Sequence, residues 1–153
     1  MTARIAIITA TLLAVAPSAN PHDLTALAVA VAQVERITAL DVPTMLAVAS
    51  VETGGTFRSD LVSRVGACGV LQSIPKWTRQ DKRHRAMTCE ELSQPLGGVV
   101  GGLLIWNAWA KIARRHPVYA HYNAGGDPGF KASSNAREHE RRRRRIAGVM
   151  GER

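Results

Sequence analysis

Residues 48–75, VASVETGGTFRSDLVSRVGACGVLQSIP, set one isolated carboxylate, Glu52, at the end of an apolar run and follow it with Gly54 and Gly55. Ahead of Glu52, the residues Val42, Met45, Leu46, Val48, Ala49 and Val51 leave almost no polar face. The segment therefore reads as a helix buried on nearly all sides, with Pro43 suited to its first turn. A carboxyl group on such a helix is partly withdrawn from water. Desolvation disfavours its charged form and raises its pKa, which is what a general acid at neutral pH requires. The two glycines stop the helix and leave backbone room for a ligand. On these residues alone a second reading stands beside the first: Glu52 as an ordinary C-terminal helix residue kept wet by the turn.

A chain of 153 residues that is 46% hydrophobic suits one domain with its own core. Aromatic residues make up only 5%, so Ala, Val, Leu and Ile must build that core. This favours closely packed helices over a sheet sandwich, and the expected fold is mostly α. The formal net charge of +8 and a pI near 10.5 call for an anionic partner. Charge does not choose among nucleic acid, an acidic membrane surface and an anionic wall polymer.

Upstream, Arg4 precedes the apolar run Ile5 to Ala16 and then Pro17-Ser18-Ala19, the layout of a secretory signal. The run is shorter than the roughly 20 residues of a membrane span, so export with cleavage is favoured over a short permanent anchor, and a buried N-terminal helix is the remaining alternative. From Pro21 onward, Leu27, Val31, Val34 and Ile37 fall on one side of a helix that Asp23 or Thr25 can cap.

Downstream, Cys68 and Cys89 are the only cysteines. An even count in a chain with an export layout favours one disulfide over two unpaired buried thiols. Two sulfurs and scattered histidines lack the close-spaced pairs of a zinc site, so no metal and no cofactor is expected. Residues 76–85, KWTRQDKRHR, read as a solvated basic loop around Trp77. Gly97, Gly98, Gly101 and Gly102 lie where small residues let a helix approach another backbone. A Gly-rich phosphate cradle is discounted, because no strand precedes the stretch and no Gly-Lys-Ser/Thr follows. The segment from Lys131, dominated by Arg141 to Arg145, reads as a solvated, partly helical basic tail. It carries no interleaved aromatic residues on which bases could stack, so nucleic acid is a disfavoured partner. The expected organisation is a signal or anchor over 1–19, a single domain over 20–132 and an Arg-rich tail over 133–153.

Three segments stand in order: Glu52-Thr53-Gly54-Gly55-Thr56-Phe57, then Ser63-Arg64-Val65-Gly66-Ala67-Cys68-Gly69-Val70-Leu71-Gln72-Ser73-Ile74-Pro75, then Ala120-His121-Tyr122-Asn123-Ala124-Gly125. In these the sequence resembles the lytic transglycosylase family, the SLT-type, lysozyme-like enzymes. The family's pattern joins E-S-G-G-x-F to S-x-x-G-A-x-G-L-M-Q-I-x-P and a distant A-x-Y-N-A-G. The resemblance covers about residues 40 to 127. Gly98 and Leu103 depart from the family's common Asn and Tyr, and Ser73 and Ile74 from its residues after Gln.

The resemblance implies a lysozyme-like single domain acting on peptidoglycan glycan strands, with Glu52 as the catalytic acid. Ser63 and Gln72 would line the cleft, Tyr122 would face the catalytic carboxyl and Asn123 would shape that wall. One carboxylate would suffice, because the substrate's own N-acetyl group and C6 hydroxyl complete the reaction and leave a 1,6-anhydromuramoyl end. The alternatives are a hydrolase of the same fold and a noncatalytic wall- or nucleic-acid-binding protein that uses the basic tail. The resemblance also implies an exported location, periplasmic, extracellular or in a virion. There the enzyme would open the wall for phage entry or lysis, or for a secretion or conjugation machine.

Overall fold

The computed structural model describes residues 1–79, 84–113, 117–124 and 130–152. At its centre is helix α3 (Val42–Glu52), and every residue from Val42 to Ser50 is buried. The Asp41 carboxylate caps it by accepting the Thr44 N–H at 2.7 Å, and Pro43 fits the first turn, where no amide donor is needed. The chain leaves α3 through Gly54 (φ +61) and Gly55 (φ +85), a left-handed exit that glycine makes without strain.

The other helices are α1 (Thr2–Val15), α2 (Pro21–Val34), the single turn α4 (Cys89–Leu92), α5 (Pro95–Ala110), α6 (Val118–Ala124) and α7 (Phe130–Met150). Among the described residues there is no strand, only isolated bridges that pair Cys68 with Val62 and Ser73. α2 packs on α1 and α5, α6 on α5 and α7, and α7 on α3. The expected mostly α architecture is therefore what the chain adopts.

Leu27, Val31 and Val34 of α2 face the core as their spacing requires. Ile37 does not, and is 85% exposed. The chain tightens after Val34 into a 3-10 turn, Glu35–Ile37, which changes the angular step and carries Ile37 off the buried face. The cap of α2 is neither Asp23 nor Thr25 but Asn20, whose side-chain oxygen accepts the His22 N–H at 2.9 Å. Residues 2–15, within the expected leader, form α1, with Ile8 and Leu12 fully buried. Arg4 reaches Glu35 at 2.5 Å and Glu152 at 2.9 Å. No described helix is long and apolar enough to cross a membrane.

The segment read as a solvated tail is instead most of α7, and the 132/133 boundary falls inside that helix. Ala136, His139 and Ile146 are buried. Arg141 and Arg142 pair with Glu138, and Arg143 and Arg144 with Glu140, one turn along the same helix. The density of arginine hides a stripe of only a few apolar residues, yet such a stripe is enough to seat a helix.

Cys68 and Cys89 are joined, with Cα atoms 5.5 Å apart. The bridge ties the loop that carries Gln72 to the start of α4, where Thr88 and Glu91 form a reciprocal capping box. The glycines of α5 make the close approach their composition suggested. A Cβ at Gly98 would lie 2.7 Å from the Leu92 carbonyl oxygen, and one at Gly102 would lie 2.3 Å from Leu71 Cδ1. The departure at Gly98 thus has a steric cause in the α4 backbone. Residues 80–83 of the expected basic loop lie outside the described residues, as does Gly125, the last residue of the third motif.

Two measurements check this packing. Reducing the disulfide frees a loop whose closure is worth about 3 kcal/mol, so the melting temperature should fall by roughly 10 °C, and thiol titration should find two new thiols only after reduction. Gly98→Ala pushes a methyl into the backbone of α4 and should lower the urea midpoint by an amount equivalent to about 1–3 kcal/mol.

Candidate active site

Glu52 is the last residue of α3, so its side chain leaves the buried helix where the glycine turn opens the surface. The Tyr119 hydroxyl donates to Glu52 Oε1 at 2.6 Å, and the Asn123 side chain lines the same cleft. Burial pushes the Glu52 pKa up, and Tyr119 and Asn123 oppose that rise without cancelling it. The phenol of Tyr119 is itself pushed far up by burial and by the neighbouring Glu52, so it remains a neutral donor.

Tyr119 is held in place from its other side. The His139 ring stacks on it with centroids 4.4 Å apart and planes 11° from parallel. Burial drives the His139 pKa down, which keeps the imidazole neutral against the phenol. Behind the end of α3, Arg142 Nη1 donates to both the carbonyl and the hydroxyl of Ser50 at 2.7 Å. A cation there meets the negative end of the α3 dipole and fixes the last turn before Glu52.

Glu52, Ser63, Gln72, Tyr122 and Asn123 line one cleft of about 390 Å³, together with Trp77 and Ile74. Among the described residues, Glu52 is the only carboxylate on its walls. Ser63 Oγ accepts the Ala67 N–H at 3.0 Å and so also shapes the turn it stands in. Gln72 sits at φ +48, a backbone region that side chains other than glycine rarely adopt. Its Nε2 donates to the Gly69 carbonyl at 2.8 Å and to the Leu61 carbonyl at 3.2 Å. With both amide hydrogens committed, Gln72 Oε1 is the atom left to meet a ligand.

Tyr122 departs from its expected place. Its hydroxyl donates to the Leu71 carbonyl at 2.6 Å, and the residue is buried. The tyrosine that meets the Glu52 carboxyl is Tyr119, which the motif passes over. The two lie three residues apart on one side of α6, with ring centroids 6.1 Å apart, and that helical spacing was the available signal. His121 is a packing residue, stacked on Trp109 at 5.7 Å.

Asp60 and Glu138, near the α3 exit, are spoken for. Asp60 is exposed and pairs with Arg58 at 2.8 Å. A larger hollow of about 520 Å³ lies over Gly54, Gly55 and the arginines of α7, but its one carboxylate, Glu138, is bonded to Arg141 and Arg142, and Glu52 does not line it. The 390 Å³ cleft is therefore the place where a desolvated acid meets open space.

No curated protein and no solved structure matches the chain. The family model for the transglycosylase SLT domain matches residues 29–144, most of the chain, and extends well into α7. With a partly buried glutamate at the end of a central helix, a cleft before it and this match across the domain, the chain belongs to the SLT transglycosylase family of lysozyme-like, peptidoglycan-directed lyases.

Proposed function

We propose that the protein is a peptidoglycan lytic transglycosylase that cuts the β-1,4 bond between N-acetylmuramic acid and N-acetylglucosamine and leaves a 1,6-anhydromuramoyl end. The observation that carries this reading is that, among the described residues, one carboxylate lines the cleft and burial raises its pKa. A two-carboxylate glycosidase would place a second acid about 5 to 9 Å away across the bond. Here the substrate has to supply that function.

Glu52 donates its proton to the glycosidic oxygen as the bond to C1 breaks, and the N-acetyl oxygen of the muramic acid stabilises the positive charge that develops at C1. The Glu52 carboxylate, stabilised by Tyr119 and Asn123, then takes the proton of the C6 hydroxyl while O6 attacks C1. The anhydro ring closes, the acid is regenerated and no water is consumed. Gln72 Oε1 faces the cleft as an acceptor suited to an acetamido N–H. The leader-like residues 1–19 and the disulfide support an exported site of action, periplasmic, extracellular or in a virion, where the enzyme opens the wall locally for phage or for a secretion or conjugation machine. The +8 charge and exposed arginines of α7 support weak docking to an anionic wall polymer or membrane surface.

Muropeptide release from purified peptidoglycan, resolved by mass, tests the reaction. Anhydro ends without reducing ends are expected, and reducing ends would assign a hydrolase instead. Glu52→Gln should lower release by a factor on the order of 10² or more while wall binding survives. Because the folded pKa of Glu52 lies above its unfolded value, its ionisation opposes folding as pH rises through the folded pKa. Thermal melts at pH 8 should therefore find Glu52→Gln at least as stable as the wild type.

Tyr119→Phe removes a donor that favours the carboxylate, so the Glu52 pKa should climb further. The alkaline limb of the pH–rate profile should move to higher pH and kcat should fall roughly 10-fold. An unmoved limb would show that the phenol does not govern this acid.

A further inference from the structure

The amide of Asn123 has two ends and a neighbour at each. Its Oδ1 accepts from Asn135 Nδ2 at 2.9 Å, and its side chain lines the cleft beside Glu52, whose carboxylate form it favours. Once the oxygen is committed to Asn135, the group left for Glu52 is the N–H of Nδ2. Asn135 lies early in α7, outside the three motifs, and it is not among the residues that line the cleft.

The choice of end matters because the two orientations act on Glu52 with opposite sign. An N–H aimed at the carboxyl stabilises the carboxylate, whereas a carbonyl in the same place accepts only from the protonated acid and repels the ionised one. A proton donor that must lose its proton and then act as a base needs the first arrangement. Asn123 is exposed at the cleft and cannot choose between its two ends unaided, since rotating the amide by half a turn interchanges them. Tyr119 serves Oε1 but has no contact that would orient Asn123.

We propose that Asn135 is a positioning residue for the catalytic acid: by donating to Asn123 Oδ1 it holds that amide with its N–H toward Glu52. The assignment rests on the reading of Glu52 as the proton donor. It also gives α7 a second link to the site, beside the ring of His139 on Tyr119. Among the described residues, the other titratable and charged groups around Glu52 are Tyr119 and Tyr122 on α6 and His139 and Arg142 on α7. Both phenols are pushed up and stay neutral, and the imidazole is pushed down and is uncharged at neutral pH. His121, also on α6, stacks on Trp109. The alkaline limb of activity therefore belongs to Glu52.

The test compares Asn135→Asp and Asn135→Ala with the wild type by two readouts, the pH–rate profile of muropeptide release and the carboxyl carbon-13 titration of Glu52 by NMR. Asn135→Asp keeps the shape but replaces the donor with an acceptor, which turns the Asn123 amide around. The Glu52 titration and the alkaline limb should both move up by about half to one pH unit, and kcat should fall roughly 5-fold with KM nearly unchanged. Asn135→Ala should move both in the same direction by less. The Asp shift should persist at about 0.5 M salt, where the field of an exposed carboxylate is largely screened.

Titrations that coincide in all three proteins would overturn the proposal, and so would an Asp shift that vanishes in salt. Circular dichroism confirms the fold of each variant. Should the wild type release no muropeptide, the proposed function fails, yet the carboxyl titration still decides the role of Asn135.

Discussion

The hydrogen bond from the Tyr119 hydroxyl to Glu52 joins two residues 67 positions apart and closes α6 onto the end of α3. Much of the molecule exists to make that contact compatible with burial. A carboxyl at the end of a helix that is apolar on every side has few partners of its own, and an unsatisfied acid there would cost several kcal/mol. Tyr119 and Asn123 satisfy it with neutral donors, which stabilise the carboxylate without restoring its ordinary pKa. The group is left between two tendencies, desolvation upward and hydrogen bonding downward, with desolvation the larger. That balance suits the acid-then-base role proposed for Glu52.

Because α6 is short, it depends on its neighbours for its place. Packing against α5 and α7 supplies that support, through Trp106 near Tyr122 and through His139 flat against Tyr119. α7 also holds the opposite side of α3, where Arg142 binds the last buried turn at Ser50. The helix with the most charge in the chain is thus the one that clamps α3 from behind. Its glutamates bind neighbouring arginines one turn away, which lets so basic a segment lie along an apolar core without like charges facing each other unopposed.

The opposite wall of the cleft is a loop with little regular structure, and it is made rigid by other means. The disulfide anchors it to α4, the glycines of α5 let that helix lie directly on Leu92 and Leu71, and Gln72 spends its amide hydrogens on the loop's own carbonyls. The strained backbone at Gln72 is maintained by those bonds, and it directs the remaining oxygen of the side chain into the cleft.

The sequence alone determined the local features. The all-round apolar run with Asp41 and Pro43 before it specifies α3, the paired glycines specify where it stops, and the carboxylate at that point marks the candidate acid, because each depends on neighbours within a few residues. The low aromatic content and the α5 glycines likewise announced packed helices. What sequence could not carry were the pairings across the fold. The motif pointed to Tyr122, but which of two tyrosines one turn apart meets Glu52 is decided by how α6 rotates against α5 and α7. The arginine-rich segment read as solvated because its buried stripe is outnumbered by charge, and it is the helices packed beside it, α3, α6 and α1, that turn Ala136, His139 and Ile146 inward. Asn135 had no local signal at all, since its hydrogen bond to Asn123 exists only when α6 and α7 lie side by side. Contacts of that kind are set by the relative placement of whole helices, and that placement follows from burying every apolar face at once.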